Sequence, residues 1–152
     1  MANAVESLRS GGPLDAQSIA AVADALSARF EVLRSAWAGK KYFSPASVFL
    51  SDDSEGPEDD NYVERYLAFR KQGKEWNFFI EEQHCRDQDG ESFTSIPLTS
   101  APLDVRLEAV DALEKLETEL KAQRDSLRKR LVAALNGMDA YIERSLSAEK
   151  EG

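Results

Sequence analysis

The chain has 152 residues, of which 42% are hydrophobic and 31% charged, and its formal net charge is −9. This length and composition predict a single folded domain, residues 1–152, with a sizeable core. The acidity argues against binding to the phosphate backbone of nucleic acids, which needs a basic surface. It would suit a partner protein with a basic surface, although solubility alone also explains an acidic composition.

The only cysteine, Cys85, excludes an intrachain disulfide and a cysteine-rich zinc module. A reducing compartment fits this cysteine usage, so we expect a cytoplasmic protein. Residues 1–12 are polar and end in glycine, which predicts a mobile N-terminus rather than a secretory signal. No stretch is apolar enough over a sufficient length for a transmembrane helix, and we therefore expect no membrane partner.

The first predicted element is a helix that begins near Pro13 and ends at about Gly39. Proline suits a first helical turn, Asp15 suits the N-cap, and glycine suits the position just past a helix end. Apolar residues recur every three or four positions and define one face. They are Ile19, Val22, Leu26, Phe30, Leu33 and Trp37. Packing against a sheet is the simplest role for this face, and a partner-binding groove or dimer face is the alternative.

A short strand is predicted at residues 47–51, where Val48 and Leu50 alternate with polar residues. Residues 51–61 follow, with six acidic and no apolar residues. Such a run repels itself and cannot contribute to a core, so it is predicted to be an acidic, mobile loop.

Residues 62–83 have the pattern of a β-hairpin. Val63, Leu67 and Phe69 alternate with polar positions in the first half, as do Trp76, Phe78 and Ile80 in the second. A turn at Gln72–Gly73, or a loop over residues 71–74, would place Phe69 opposite Trp76 and Leu67 opposite Phe78. Tyr66 and Phe79 would then pair on the other face, which gives the sheet a second apolar surface.

Phe93, Ile96 and Leu98 follow a turn signal at residues 86–90 and predict a further strand. Short connections between successive strands favour an antiparallel arrangement. The sequence therefore predicts an α+β fold with an N-terminal helix, an antiparallel β-meander of three to four strands, and a long C-terminal helix or helical hairpin.

Residues 100–147 form the predicted helical C-terminal segment. Its apolar face is broad and comprises Val110, Leu113, Leu116, Leu120, Leu127, Leu131 and Leu135. Asn136–Gly137 is typical of a cap or break, after which Met138, Tyr141, Ile142 and Leu146 would continue the face in a shorter helix.

A helix of this length would extend beyond a small domain. Either it breaks at residues 121–126 and folds back, or it continues and meets the same helix of a second chain. The sequence does not decide whether 102–135 is continuous. Because a large exposed apolar patch is unusual on a monomer, the leucine-rich face favours a homodimer.

No pattern in the sequence identifies a reaction. His84 and Cys85 are adjacent and would point to opposite faces of a strand, which argues against a nucleophile–base pair. Glu82 and His84 would share a face, with Asp87 and Asp89 in the next turn, but one histidine is a weak metal signal. We therefore predict no catalytic residue, no metal site and no cofactor.

The sequence thus favours a non-catalytic protein–protein interaction module of adaptor, chaperone-like or regulatory type, working as a dimer. The predicted partner-binding residues are Tyr66, Phe79, Leu116, Leu120, Leu127 and Leu131. The alternative is a domain that binds a metal or a small ligand in a pocket lined by Tyr66, Trp76, Phe78 and Phe79, with polar groups such as Arg65 inside.

Overall fold

The fold is that of a computed structural model, which describes residues 3–54, 62–86 and 90–151. In these residues the chain forms three helices and a four-stranded antiparallel sheet with the strand order β1-β2-β3-β4. The sheet is a meander in which each strand pairs with the next in the chain. The predicted α+β fold is confirmed, and of the two forms considered for the C-terminal segment the long helix is observed.

The N-terminal region contains two helices. A short helix, α1 (Ala4–Arg9), lies within residues 1–12, the segment predicted to be mobile. Asn3 caps the start of α1 by accepting a hydrogen bond from the Glu6 amide. The predicted long helix follows as α2 (Ala16–Gly39). Asp15 is its N-cap and exchanges hydrogen bonds of 2.8 and 2.9 Å with Ser18, a capping box that satisfies two amides.

The predicted hairpin is formed by β2 (Tyr62–Gln72) and β3 (Glu75–Arg86), but its register differs by two residues from the predicted one. Phe69 pairs with Phe78 and Leu67 with Ile80, because the turn consists of Gly73 and Lys74. Gly73 has a φ of 63°, and a positive φ at the first turn residue is what a type II′ turn requires. An even shift keeps every side chain on its predicted face.

The outer strands also differ from the prediction in extent. Strand β1 (Ala46–Ser54) is longer than the predicted 47–51, and its last residues pair with β2. Asp52 and Asp53, assigned to the acidic mobile loop 51–61, are therefore in a strand, and residues 55–61 of that loop lie outside the described residues. Strand β4 (Gly90–Pro97) is the predicted further strand, and a 3-10 turn (Leu98–Ser100) follows it.

Helices α2 and α3 (Leu103–Glu151) cover one face of the sheet. Phe30 and Trp37 of α2 contact Phe78 of β3 through their rings, with centroids 6.0 and 5.1 Å apart. Arg106 of α3 donates hydrogen bonds to the Ala23 carbonyl and the Ser27 hydroxyl of α2 and thereby joins the two helices. The core lies between this helical layer and the sheet.

Helix α3 is continuous over 49 residues. It passes without interruption through residues 121–126, where a fold-back was considered, and through Asn136–Gly137, where a cap or break was predicted. At about 1.5 Å per residue it is roughly 73 Å long, far longer than the sheet that it covers. No helix in the described part of the chain is both long and apolar enough to cross a membrane.

Candidate functional site

The predicted partner-binding residues of α3 fall into two groups. Leu116 and Leu120 are fully buried in the core of the single chain. Leu127 is half-buried, and Leu131 is 57% exposed. The transition from buried to exposed leucines occurs within three helical turns, which is where α3 passes beyond the sheet.

We call residues 121–151 the distal segment and its apolar face the distal stripe. The stripe consists of Leu127, Leu131, Leu135, Met138, Tyr141, Ile142 and Leu146. From Arg128 to Glu149 every side chain is exposed, and the large apolar ones from Leu131 to Leu146 are 47–66% exposed. At about 100° per residue, the stripe continues the face that carries Leu116 and Leu120 in the core. Leu127 is partly covered, and beyond the groove described next none of the described residues covers the stripe.

Phe43 lies beside the start of the distal stripe. It lines a groove of about 340 Å³ with Arg124, Leu127, Arg128, Leu131, Val132 and Leu135. The Phe43 ring is 68% exposed, and its backbone has a φ of 70°. A bulky residue in the left-handed region is strained by about 1–2 kcal/mol. An exposed phenylalanine in a strained conformation at the edge of an apolar groove is better suited to binding another molecule than to stabilising the fold.

Charge is distributed unevenly along the distal segment. Residues 121–130 contain five basic side chains and one acidic side chain, whereas residues 139–151 contain four acidic and two basic. Arg124 and Arg128 stand at the groove itself, and the Arg124 guanidinium lies 5.6 Å from the centre of the buried Tyr42 ring. The base of the projecting helix is therefore basic within a chain that is acidic overall.

The outer face of the sheet, away from the helices, holds the other two predicted residues. Phe79 is only 3% exposed, because the Arg70 guanidinium lies 4.0 Å from its ring centre. Tyr66 is half-buried and its ring meets that of Phe49 edge-on, with centroids 5.8 Å apart. Tyr66 pairs with Glu81 rather than with Phe79, a consequence of the two-residue register difference. The Arg70 cation thus covers the Phe79 part of this predicted second apolar surface, whereas Phe49 on the same face is 49% exposed.

A polar cluster lies on the helix-facing side of the sheet, beyond the core. The Arg65 guanidinium is 3.3 Å from Glu82 and 3.7 Å from Asp53, and the His84 ring is 3.1 Å from Glu82. Glu82 and His84 share a face, as predicted, whereas Asp87 and Asp89 lie outside the described residues. Within the described residues no group of three or more His, Cys, Asp or Glu side chains is arranged to hold a metal ion. Arg65, Glu82 and His84 of this cluster are half-buried, Asp53 is exposed, and Arg65 forms ion pairs with both carboxylates.

Cys85 points to the opposite face from His84 and pairs across the strands with Tyr62. A hydrogen bond with the Cys85 side chain raises the pKa of Tyr62 to about 12. The aromatic pocket of the alternative prediction would need Trp76, Phe78, Tyr66 and Phe79 together. Trp76 and Phe78 pack on the helix-facing side of the sheet, whereas Tyr66 and Phe79 lie on the other side, so these four do not line one pocket.

Sequence reasoning missed Phe43 as a candidate contact residue. It follows the end of α2 and precedes Pro45, and no periodic pattern includes it. Its importance arises from a backbone conformation and from the passage of α3 beside it, neither of which residue types reveal. The predicted apolar face includes Leu135, Met138, Tyr141, Ile142 and Leu146, but the predicted partner-binding residues do not.

Comparison of the chain with protein-family models, with curated proteins and with solved structures finds no match.

Proposed function

We propose that the chain is a non-catalytic protein–protein interaction module that works as a homodimer through the distal stripe. The observation that carries the proposal is the continuation of the core-facing side of α3 into solvent. The residue types on this face stay the same, while the side chains change from buried in residues 105–120 to exposed from Leu131 onward.

Two physical arguments support a protein partner on this face. Contiguous exposed apolar patches are uncommon on monomers and mark interaction sites. In addition, an isolated helix draws little stability from propensity alone and depends on the packing of its apolar face. Asn136 and Gly137 are poor helix formers in the middle of the distal segment, so this helix would gain most from a partner.

The dimer is tested by analytical ultracentrifugation from low to high micromolar concentration. We expect the mass to approach twice that of one chain. Changing Leu131→Glu and Ile142→Glu together is expected to return it to one chain mass, because two charges would be buried in the contact. Ala133→Glu with Ala140→Glu is the matched control on the opposite face of the helix and should leave the dimer intact. A wild-type monomer at high micromolar concentration would refute the proposal.

An adaptor, chaperone-like or regulatory role would add a further protein partner to the dimer. The net charge of −9 favours a partner with a basic surface, through faster and more selective encounter. The cytoplasm is the proposed location, because the lone, buried Cys85 suits a reducing compartment. Cell fractionation tests the location, and affinity capture with the wild type and the doubly substituted Leu131/Ile142 variant tests whether a partner requires the dimer.

A further inference from the structure

We infer that the occupant of the distal stripe is the α3 helix of a second copy running in the opposite direction. The C-terminal end of each helix then lies in the groove beside Phe43 of the other chain. This inference rests on the proposed function, because it specifies how the proposed dimer is built.

Charge along the distal segment selects the antiparallel direction. Residues 121–130 are mainly basic and residues 139–151 mainly acidic. A parallel pair would place basic beside basic and acidic beside acidic along the whole contact. An antiparallel pair places the basic residues 121–130 of each helix beside the acidic residues 139–151 of the other. Complementary charge of this kind sets the orientation of paired helices.

The extent of the distal stripe sets the register. The stripe runs from Leu127 to Leu146, and its full overlap with the stripe of a second copy running in the opposite direction places the two-fold axis near Asn136. The distal stripes of the two copies then pack against each other in successive layers. The residues along the centre of each stripe are spaced alternately four and three positions apart, which is the spacing of paired helices. Leu131 lies opposite Tyr141, and Ala134 lies opposite Met138. Each layer pairs a larger side chain with a smaller one, which suits close packing.

The groove beside Phe43 is filled by the same register. Leu127 and Leu131 of one chain are level with residues 141–145 of the other. Ile142 and Leu146 of the second copy then approach the groove, and its Glu149 approaches Arg128. Helical side chains tilt towards their own N-terminus, so in an antiparallel pair the Arg128 and Glu149 side chains lean towards each other. In this arrangement the exposed Phe43 and the two arginines of the groove all contact the C-terminal end of the second helix.

The same geometry contains one unfavourable pair, which gives a sharp test of direction. On the other flank of the contact, Arg130 faces Arg144 of the second copy. Arg144→Glu converts this repulsion into attraction and is expected to tighten the antiparallel dimer about threefold. In a parallel pair Arg144 would instead lie near Glu149 of the other helix, and the same change would weaken the dimer.

A charge exchange tests the groove contact itself. Arg128→Glu and Glu149→Arg are each expected to raise the Kd about threefold or more, and the double variant should recover most of the loss. Lys129→Glu makes the same charge change on the adjacent residue, which points away from the stripe, and is the matched control. A parallel dimer would give no recovery in the double variant, since Arg128 and Glu149 would then be far apart.

Distances between spin labels determine the relative direction of the two α3 helices independently of the Kd of the dimer. In a Cys85→Ala background, labels at Ser147 would be roughly 35 Å apart in the antiparallel dimer, from two spans of eleven residues at about 1.5 Å each. In a parallel dimer they would be within about 20 Å, because paired helices lie about 8–10 Å apart. Labels at Asn136, near the two-fold axis, should be close in either case and serve as the control.

The outcomes separate the inference from the proposed function. A dimer with distant Ser147 labels supports both. A dimer with close Ser147 labels overturns the antiparallel arrangement and leaves the proposed function standing. A trimer or larger assembly overturns the arrangement as well. A monomer at high micromolar concentration refutes the dimer and the arrangement together.

Discussion

The two parts of α3 carry the same kind of apolar face in different surroundings. In residues 103–120 this face includes Val105, Ala109, Leu116 and Leu120, which are buried against the sheet and α2. In the distal segment the corresponding positions are exposed. The difference arises from the sheet, which ends where the hairpin turns at Gly73, while the helix continues for roughly 46 Å at about 1.5 Å per residue.

This difference shows that an apolar periodicity identifies which side of a helix seeks contact, but not what provides the contact. Within residues 103–120 the contact is made by the same chain, and the leucines there stabilise folding. In the distal segment from Leu131 onward the described residues of the chain provide no such contact, and the leucines there are exposed to solvent. Substitutions of the same type in the two parts should therefore change different quantities.

The largest contrast is expected between Leu116→Ala and Leu135→Ala. Leu116 is fully buried, so its truncation should lower the free energy of unfolding by about 3 kcal/mol or more. Leu135 is exposed, and its truncation should change the stability of the monomer by less than about 0.5 kcal/mol. Urea denaturation at low micromolar concentration measures both. Equal effects of the two changes would mean that the distal stripe is already covered within one chain.

A smaller contrast is expected between two glycines with open space around them. A Cβ at Gly137 or at Gly73 would meet nothing within 4 Å, but only Gly73 has a positive φ, of 63°. Gly137→Ala should therefore stabilise the distal helix by about 1 kcal/mol. Gly73→Ala should destabilise the hairpin by a similar amount, because alanine disfavours that conformation.

Hydrogen exchange measures the two glycine substitutions separately. Amides of residues 133–141 should exchange more slowly in Gly137→Ala, and amides of the hairpin should exchange faster in Gly73→Ala. Unchanged protection of residues 133–141 would show that helix propensity does not limit the stability of the distal segment.

A third comparison, between Phe43→Gly and Lys41→Gly, separates effects on the stability of the monomer from effects on the Kd of the dimer. Phe43→Gly should relieve the strained backbone and raise the free energy of unfolding of the monomer by about 0.5–1 kcal/mol. It should also weaken the dimer, because the ring lines the groove. Lys41→Gly is the control, since Lys41 has a φ of 52° but does not line the groove. It should stabilise the monomer without changing the Kd of the dimer.

Most of the fold could be predicted from local patterns. The capped start of α2, the two faces of the hairpin and the apolar face of α3 depend on residues close in sequence. The predicted hairpin register is wrong, because both registers keep the same faces and differ only in which residues form the turn. Gly73 at the first position of a type II′ turn favours the observed register. Even so, the predicted neighbours Phe69 and Trp76 do stack, with ring centroids 5.4 Å apart, as diagonal rather than direct partners.

The candidate site was less accessible to sequence reasoning. Asn136–Gly137 has the residue types of a helix end, yet the helix continues through these residues, and its apolar periodicity runs on through Met138, Tyr141 and Ile142. The predicted set placed two buried leucines beside two that are available for contact, because nothing in the sequence of α3 indicates where the sheet ends. That boundary depends on the lengths of β1 and the hairpin, which are set by long-range pairing.

The smallest expected effect lies at the boundary between the two parts of α3. Glu117, in the last buried turns, is 3.2 Å from the Lys40 ammonium at the end of α2. The hydrogen bond from Lys40 holds the pKa of Glu117 below its ordinary value of 4.5. Because the folded-state pKa is lowered, the ion pair contributes stability above pH 4.5, and this contribution is lost as the pH falls through the lowered pKa.

Glu117→Gln should accordingly be slightly less stable than the wild type at pH 7, and the difference should shrink as the pH falls below 4.5. Lys40→Met should show the same dependence on pH with a smaller loss, because Glu117→Gln also removes the ion pair with Lys121, 3.4 Å away. Adding Lys40→Met to Glu117→Gln should cost little more, since the pair with Lys40 is already removed. Urea midpoints between pH 3 and pH 7 provide the measurement. A difference between Glu117→Gln and the wild type that persists at low pH would show that packing rather than charge holds the end of α2 against α3.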